Sequence, residues 1–162
     1  MRRALSRRQL LGVAGSALTV GGAGCTGDSG GPRYERRTVV LPDDAEPRTT
    51  AETTAATQQA TTSSNDAVVP TTAVELGDHA FVYEAGYLGA TVQGTVVNRA
   101  SSRIDSCEVR VRVYNGDEQL LGRYLDRVSE LGGGRSWRFT VIVLEAPADI
   151  GSYEITVLGT PA

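Results

Sequence analysis

The sequence predicts an all-β protein: an antiparallel β-sandwich of six or seven short strands, carried behind a signal segment and a structureless stalk. Three observations predict it. From Ala73 onward apolar residues recur at every second position, the spacing that puts them all on one face of a strand. Turn-forming clusters (Gly86 to Gly89, Asn115-Gly116-Asp117, Gly132-Gly133-Gly134 and Pro147 to Gly151) divide that region at intervals of about ten residues. After residue 24 no stretch sustains the 3.6-residue period of a helix.

In chain order, the first element is an address. MRRALSRRQLLGVAGSALTVGGAGC has a basic start, an apolar middle and small residues before a cut, the three parts of an export signal. Ser6-Arg7-Arg8-Gln9-Leu10-Leu11 resembles the twin-arginine (Tat) motif S-R-R-x-F/L-L, which implies that Arg7 and Arg8 are the pair read by the export receptor. The apolar stretch 10–24 is shorter than the roughly 20 apolar residues a spanning helix needs, so it is expected to be removed rather than to anchor the chain. Gly22-Ala23-Gly24-Cys25 resembles a lipobox, with Gly22 where an aliphatic residue is usual. It implies cleavage before Cys25 and lipid attachment at its sulfur. Residues 1–24 are thus read as a Tat-type lipoprotein signal peptide, and the mature chain is expected on the extracytoplasmic face of the cell membrane, held by a lipid.

Residues 25–72 are read as the stalk. TTAETTAATQQATTSSNDAVVPTT is low-complexity Thr, Ala, Ser and Gln, with too little apolar surface to offset the entropy of ordering it. RTVVLP, residues 37–42, is the one segment there with strand character. The stretch also holds Gly27-Asp28-Ser29-Gly30-Gly31, the string that surrounds the nucleophilic serine of trypsin-like proteases. An activated serine needs a base held within hydrogen-bond reach by a fold. Ser29 instead lies a few residues after the anchor, and the one histidine, His79, follows it in the chain. The string is therefore read as a spacer, and the protein as a non-enzyme.

Residues 73–162 are read as the folded domain, expected to fold by itself. In ATVQGTVVN, Val92, Gly94 and Val96 face one way; in SCEVRVRVY, Cys107, Val109, Val111 and Val113 oppose Glu108, Arg110, Arg112 and Tyr114. SWRFTVIVL aligns Trp137, Phe139, Val141 and Val143, and SYEITVL aligns Tyr153, Ile155 and Val157. HAFVYEAGY and QLLGRYLDRVSEL are weaker strands. GTVVNRASSRIDSCEVRVRVYNGDEQLLG, with SELGGGRSWRFTVIV after it, resembles the FxLyD domain of bacterial and archaeal envelope proteins. The shared features are G-x-V-x-N, an apolar strand closing on a Tyr-acid-Gly turn (here Tyr114-Asn115-Gly116, with Asn in place of the family's Asp, either of which suits the turn), and a Gly-rich turn before an F-x-V strand. The resemblance implies an immunoglobulin-like sandwich and carries no assigned chemistry.

Charge narrows the partners. All 16 basic residues are Arg; after the signal segment twelve of them face nineteen acids, a net −7. That balance disfavours nucleic acid and an anionic membrane surface. An acidic, Lys-free chain of this kind resembles haloarchaeal proteins; a GC-rich genome that encodes Arg in place of Lys produces the same bias. No cofactor is expected, because a blue-copper site needs two His, a Cys and a weak Met, and the chain has His79, Cys107 and no Met after Met1. Cys107, in an apolar alternation, is read as a buried small hydrophobe without a disulfide. Arg110, Arg112 and Arg138, with Tyr114, are expected on a solvated face, paired across strands with Glu108, Asp126 and Glu130. As the alternative they form the candidate partner-binding face, for acidic glycans or an acidic partner. The functional expectation is a lipid-anchored envelope protein displaying an interaction module to an envelope protein or glycan. The alternative is a ligand- or glycan-binding accessory lipoprotein serving a transporter or surface layer.

Overall fold

A computed structural model describes residues 30–162; Arg7, Arg8, Cys25 and Ser29 lie outside the described residues. Seven strands form two antiparallel sheets. β1 (Glu35–Thr38), β7 (Ser152–Pro161), β4 (Ile104–Tyr114) and β5 (Leu120–Leu131) lie side by side in that order in sheet A. β2 (Val74–Glu84), β3 (Gly89–Asn98) and β6 (Ser136–Ile142) make sheet B. The expected antiparallel sandwich is what the chain forms.

Its connectivity is immunoglobulin-like with one substitution. When β2, β3, β4, β5, β6 and β7 are lettered A, B, C, C′, E and F, the sheets read A-B-E against C′-C-F. The place of strand G beside F is taken by β1, which arrives from the N-terminal side and pairs antiparallel with β7, Glu35 opposite Ile155 through Thr38 opposite Ser152.

The alternation read from the sequence fills the space between the sheets. Val92 and Val96 of β3, Val109, Val111 and Val113 of β4, Phe139 and Val141 of β6, and Tyr153 and Ile155 of β7 are all essentially without solvent contact. The pairing of β3 with β6 explains Gly94: Phe139 is its register partner, and a Cβ at Gly94 would stand 2.7 Å from the Phe139 ring. β2 read weakly because its ladder to β3 slips between Leu76 and His79, which breaks the period of two.

Asn98 closes the G-x-V-x-N strand for a physical reason. Fully buried, its Nδ2 donates to the carbonyls of Ser102, Leu131 and Gly132 at 2.9, 2.9 and 3.1 Å, while its Oδ1 accepts from the Ala100 N–H at 3.0 Å. One amide thus joins the β3–β4 loop to the β5–β6 turn. On the open side of the sandwich, Asp126 of β5 accepts from the Thr140 N–H of β6 at 2.9 Å, linking the two edge strands; burial raises its carboxyl above the ordinary value.

The stretch expected to be structureless is the main correction. From Gly30 on, the residues assigned to the stalk wrap the sandwich. β1 extends sheet A. Helix α1 (Thr50–Gln59) starts at a capping box in which Thr49 accepts from the Glu52 N–H and Glu52 accepts from the Thr49 N–H. Just before it, Arg48 donates to the carbonyls of Tyr87 and Leu88 in the β2–β3 turn. Residues 61–69 then form a strap across the outer face of sheet A. It is bridged to the β5 edge at Thr61–Leu125 and to the β7 edge at Val69–Gly159. Ala56 and Val68 are buried in this wrapping, so the folded unit begins some forty residues earlier than the alternation shows. The physical reason is that the wrapping is held largely through backbone hydrogen bonds to the sandwich, which leave no period in the side chains.

Cys107 is a free, fully buried thiol, pushed up to about 12 by burial and by the neighbouring Glu108 charge. In a Cys25→Ser chain it is the one thiol left. Iodoacetamide at mildly alkaline pH should leave it unmodified in the native protein and label it fully in denaturant, since only the exposed thiolate reacts. Labelling of the native chain at the rate of a free thiol would show that β4 does not bury this face.

Candidate functional site

The outward face of sheet A is polar by the parity of its strands. β4 turns Glu108, Arg110, Arg112 and Tyr114 to this face, as the alternation requires. The strap divides it in two. Under the strap, Glu108 is fully buried: it pairs with Arg110 at 2.6 Å and accepts from the Asn65 N–H of the strap at 3.1 Å. Arg110 closes the loop by donating to the Asn65 carbonyl at 2.9 Å, and Arg127 donates to that of Ser63. Leu125 and Leu158, on the same face, are buried too. The lower half is therefore an internal layer, not the solvated face expected for these residues.

The upper half is open and carries one rung of charge. Register places Arg36 of β1 beside Glu154 of β7, Glu154 beside Arg112 of β4, and Arg112 beside Arg123 of β5. Three arginines share this rung with one carboxylate. That carboxylate is spoken for: Glu154 accepts from the Tyr114 hydroxyl at 2.8 Å and stands 3.8 Å from the Arg112 Nη1. Burial, then this hydrogen bond, holds the Tyr114 phenol above its ordinary value. Arg36 is satisfied elsewhere, by Glu118 and Ser152, each at 3.1 Å. The guanidinium carbon of Arg112 lies over the Tyr34 ring, 3.9 Å from its centroid, and the Arg112 Nε is shut off from solvent with no acceptor among the described residues. Arg123 is exposed and makes no ion pair among the described residues.

Beside this rung, where the strap meets it, is a recess of about 150 Å³. Tyr34, Thr62, Ser64, Arg110, Arg112, Arg123 and Tyr124 contribute to its walls. Two other hollows are more open: a groove of about 690 Å³ along the β7 edge between Arg33 and Pro70, and a shallow one of about 370 Å³ on sheet B. Neither gathers several side chains of one charge.

Arg110, Arg112 and Tyr114 share the outward face of β4, Arg110 held under the strap and Arg112 and Tyr114 beyond it, and Arg138 is separate from them. Arg138 lies on β6, in the other sheet, beside Asp78 and Thr95. It does not belong to this face. Three participants escaped the sequence reading, Tyr34, Arg36 and Glu154, because β1 was expected in the stalk and cross-strand neighbours depend on register.

His79 has an architectural place. Its buried ring lies between the Tyr153 hydroxyl, 2.8 Å from Nδ1, and the Glu35 carboxylate, 3.3 Å from Nε2. It therefore ties β2 to β7 and to β1. Among the described residues no three His, Cys, Asp or Glu side chains gather as a metal site, and no helix is long and apolar enough to cross a membrane.

No protein-family model matches the chain, and no curated protein is similar to it. Among solved structures, the crystal structure of a DUF1425 family member from Shewanella sp. pv-4 is similar to it at 15% sequence identity and a TM-score of 0.41. That similarity covers 60% of this chain and 93% of the other.

Proposed function

We propose that the protein is a Tat-exported lipoprotein of the cell envelope whose sandwich, FxLyD-like in sequence, is a non-enzymatic binding module kept close to the extracytoplasmic face of the membrane. The observation that carries this reading is the position of β1. It begins at Glu35, ten residues after Cys25, and locks the N-terminal end of the sandwich to the sheet edge. Ten residues reach at most about 35 Å even when fully extended. A lipid on Cys25 would thus hold the module on a short leash, in place of the long stalk that composition suggests.

The arginine rung favours one form of this reading, the accessory lipoprotein that binds an anionic ligand or glycan. It is a concave, positively charged spot on a chain that carries net negative charge after its signal segment, and its charges are only partly matched from within.

Fractionation tests the anchor. The Cys25→Ser protein should leave the membrane fraction for the medium or persist as uncleaved precursor. If it matures and sediments with membranes as the wild type does, the lipid-anchor reading fails.

A further inference from the structure

We propose that the recess beside the arginine rung is a binding site for the carboxylate of a uronic-acid sugar, received between Arg112 and Arg123. The proposal rests on the reading of the module as a glycan-binding one and names the ligand's chemistry.

Four observations carry it. Arg112 and Arg123 are direct cross-strand partners, and like charges in that position repel. The rung's own carboxylate, Glu154, is held by Tyr114 at 2.8 Å while Arg112 is left at 3.8 Å, and Glu118 serves Arg36 alone. Arg123 is exposed and makes no ion pair among the described residues. And the strap sets hydroxyl side chains, Thr62 and Ser64, around the recess beside these cations. An oxyanion seated there supplies a negative charge between Arg112 and Arg123, neither of which has a carboxylate within hydrogen-bond distance among the described residues.

The lining points to a sugar carboxylate. A guanidinium presents its N–H donors as a planar fork that matches the two oxygens of a carboxylate, and Arg123 is the exposed member of the pair. Arg112 cannot swing freely toward other partners because it is stacked on Tyr34. The volume of about 150 Å³ is ample for a carboxylate and leaves room for part of a sugar ring, whose hydroxyls find Thr62, Ser64 and Arg110 as partners.

The test is a titration of the full chain with galacturonate, glucose and sulfate at constant ionic strength, followed by isotope-edited NMR. Galacturonate should shift the signals of β4, β5 and the strap in a saturable way, while glucose and sulfate should not. Arg123→Gln changes an exposed side chain and should leave the fold intact, yet weaken galacturonate by roughly tenfold or more, the worth of a charged hydrogen bond. Arg138→Gln, on the other sheet, should bind as the wild type does. The proposal is overturned if galacturonate produces no saturable shift, if sulfate binds as tightly, or if Arg123→Gln binds unchanged. Because the titration is made on purified protein, its failure is independent of the fractionation result: a protein that is anchored but does not bind galacturonate loses this site and keeps its anchor.

Discussion

Phe139→Ala is expected to destabilise the protein by about 3–5 kcal/mol, the range for removing a fully buried aromatic ring. The upper part of that range applies here because the ring faces Gly94, which has no side chain to fill the space left. The residues around it are held by the ladders of both sheets, so the cavity closes poorly. Arg112→Ala should lose at most about 1 kcal/mol, the stacking on Tyr34, and should regain part of that by relieving the repulsion of Arg123. Chemical denaturation followed by circular dichroism measures both, with the slope of the transition unchanged. Should Arg112→Ala prove the more damaging, the faces of sheet A are exchanged and the arginine rung is internal.

Asn98→Asp should have an effect of the same size from a far smaller change in shape. The substitution replaces an amide donor by an oxygen and points a carboxylate at the carbonyls of Ser102, Leu131 and Gly132. A buried charge without a partner is worth about 3–5 kcal/mol of lost stability. Asn98→Ala, which merely orphans those carbonyls, should lose about 1–3 kcal/mol. The isosteric variant is thus expected to be the worse of the two, measured by the same denaturation curves. Equal stabilities for Asn98→Asp and the wild type would mean that the amide does not hold the two loops together.

Strand faces were legible wherever a strand is buried on one side and regular throughout. That is why Val109, Val111 and Val113, or Phe139 and Val141, could be assigned to the core from spacing alone. The bulge in β2 hid a strand of eleven residues for the opposite reason. Composition misjudged residues 30–72 because their order comes from backbone groups: the Leu125 N–H bonds to the Thr61 carbonyl, and Val69 exchanges two bonds with Gly159. One signal there was readable and went unused, the T-x-x-E capping box of Thr49 and Glu52. The site was half legible. Parity groups Arg110, Arg112 and Tyr114, since all three alternate with core residues on one strand. Parity says whether a side chain faces in or out but not which sheet it belongs to, and so Arg138 was placed with them. The rung itself depends on pairing, which joins residues as distant in the chain as Arg36 and Glu154.

The strand order also sets a timetable. β7 follows every other strand in the chain yet lies inside sheet A, between β1 and β4. As the polypeptide leaves the ribosome, the β2–β3 and β4–β5 hairpins can close and β6 can join β3, but β1 has nothing to pair with until β7 is made. Arg36 meets Ser152 across 116 residues of chain. Pairings of such separation form late and slowly. The final act of folding is therefore the entry of β7 between two strands made long before it. Only then do Glu154 and Arg36 join the Arg112–Arg123 pair that the β4–β5 hairpin has already set side by side, so a chain halted before β7 has two like charges without the carboxylate between them and Arg36.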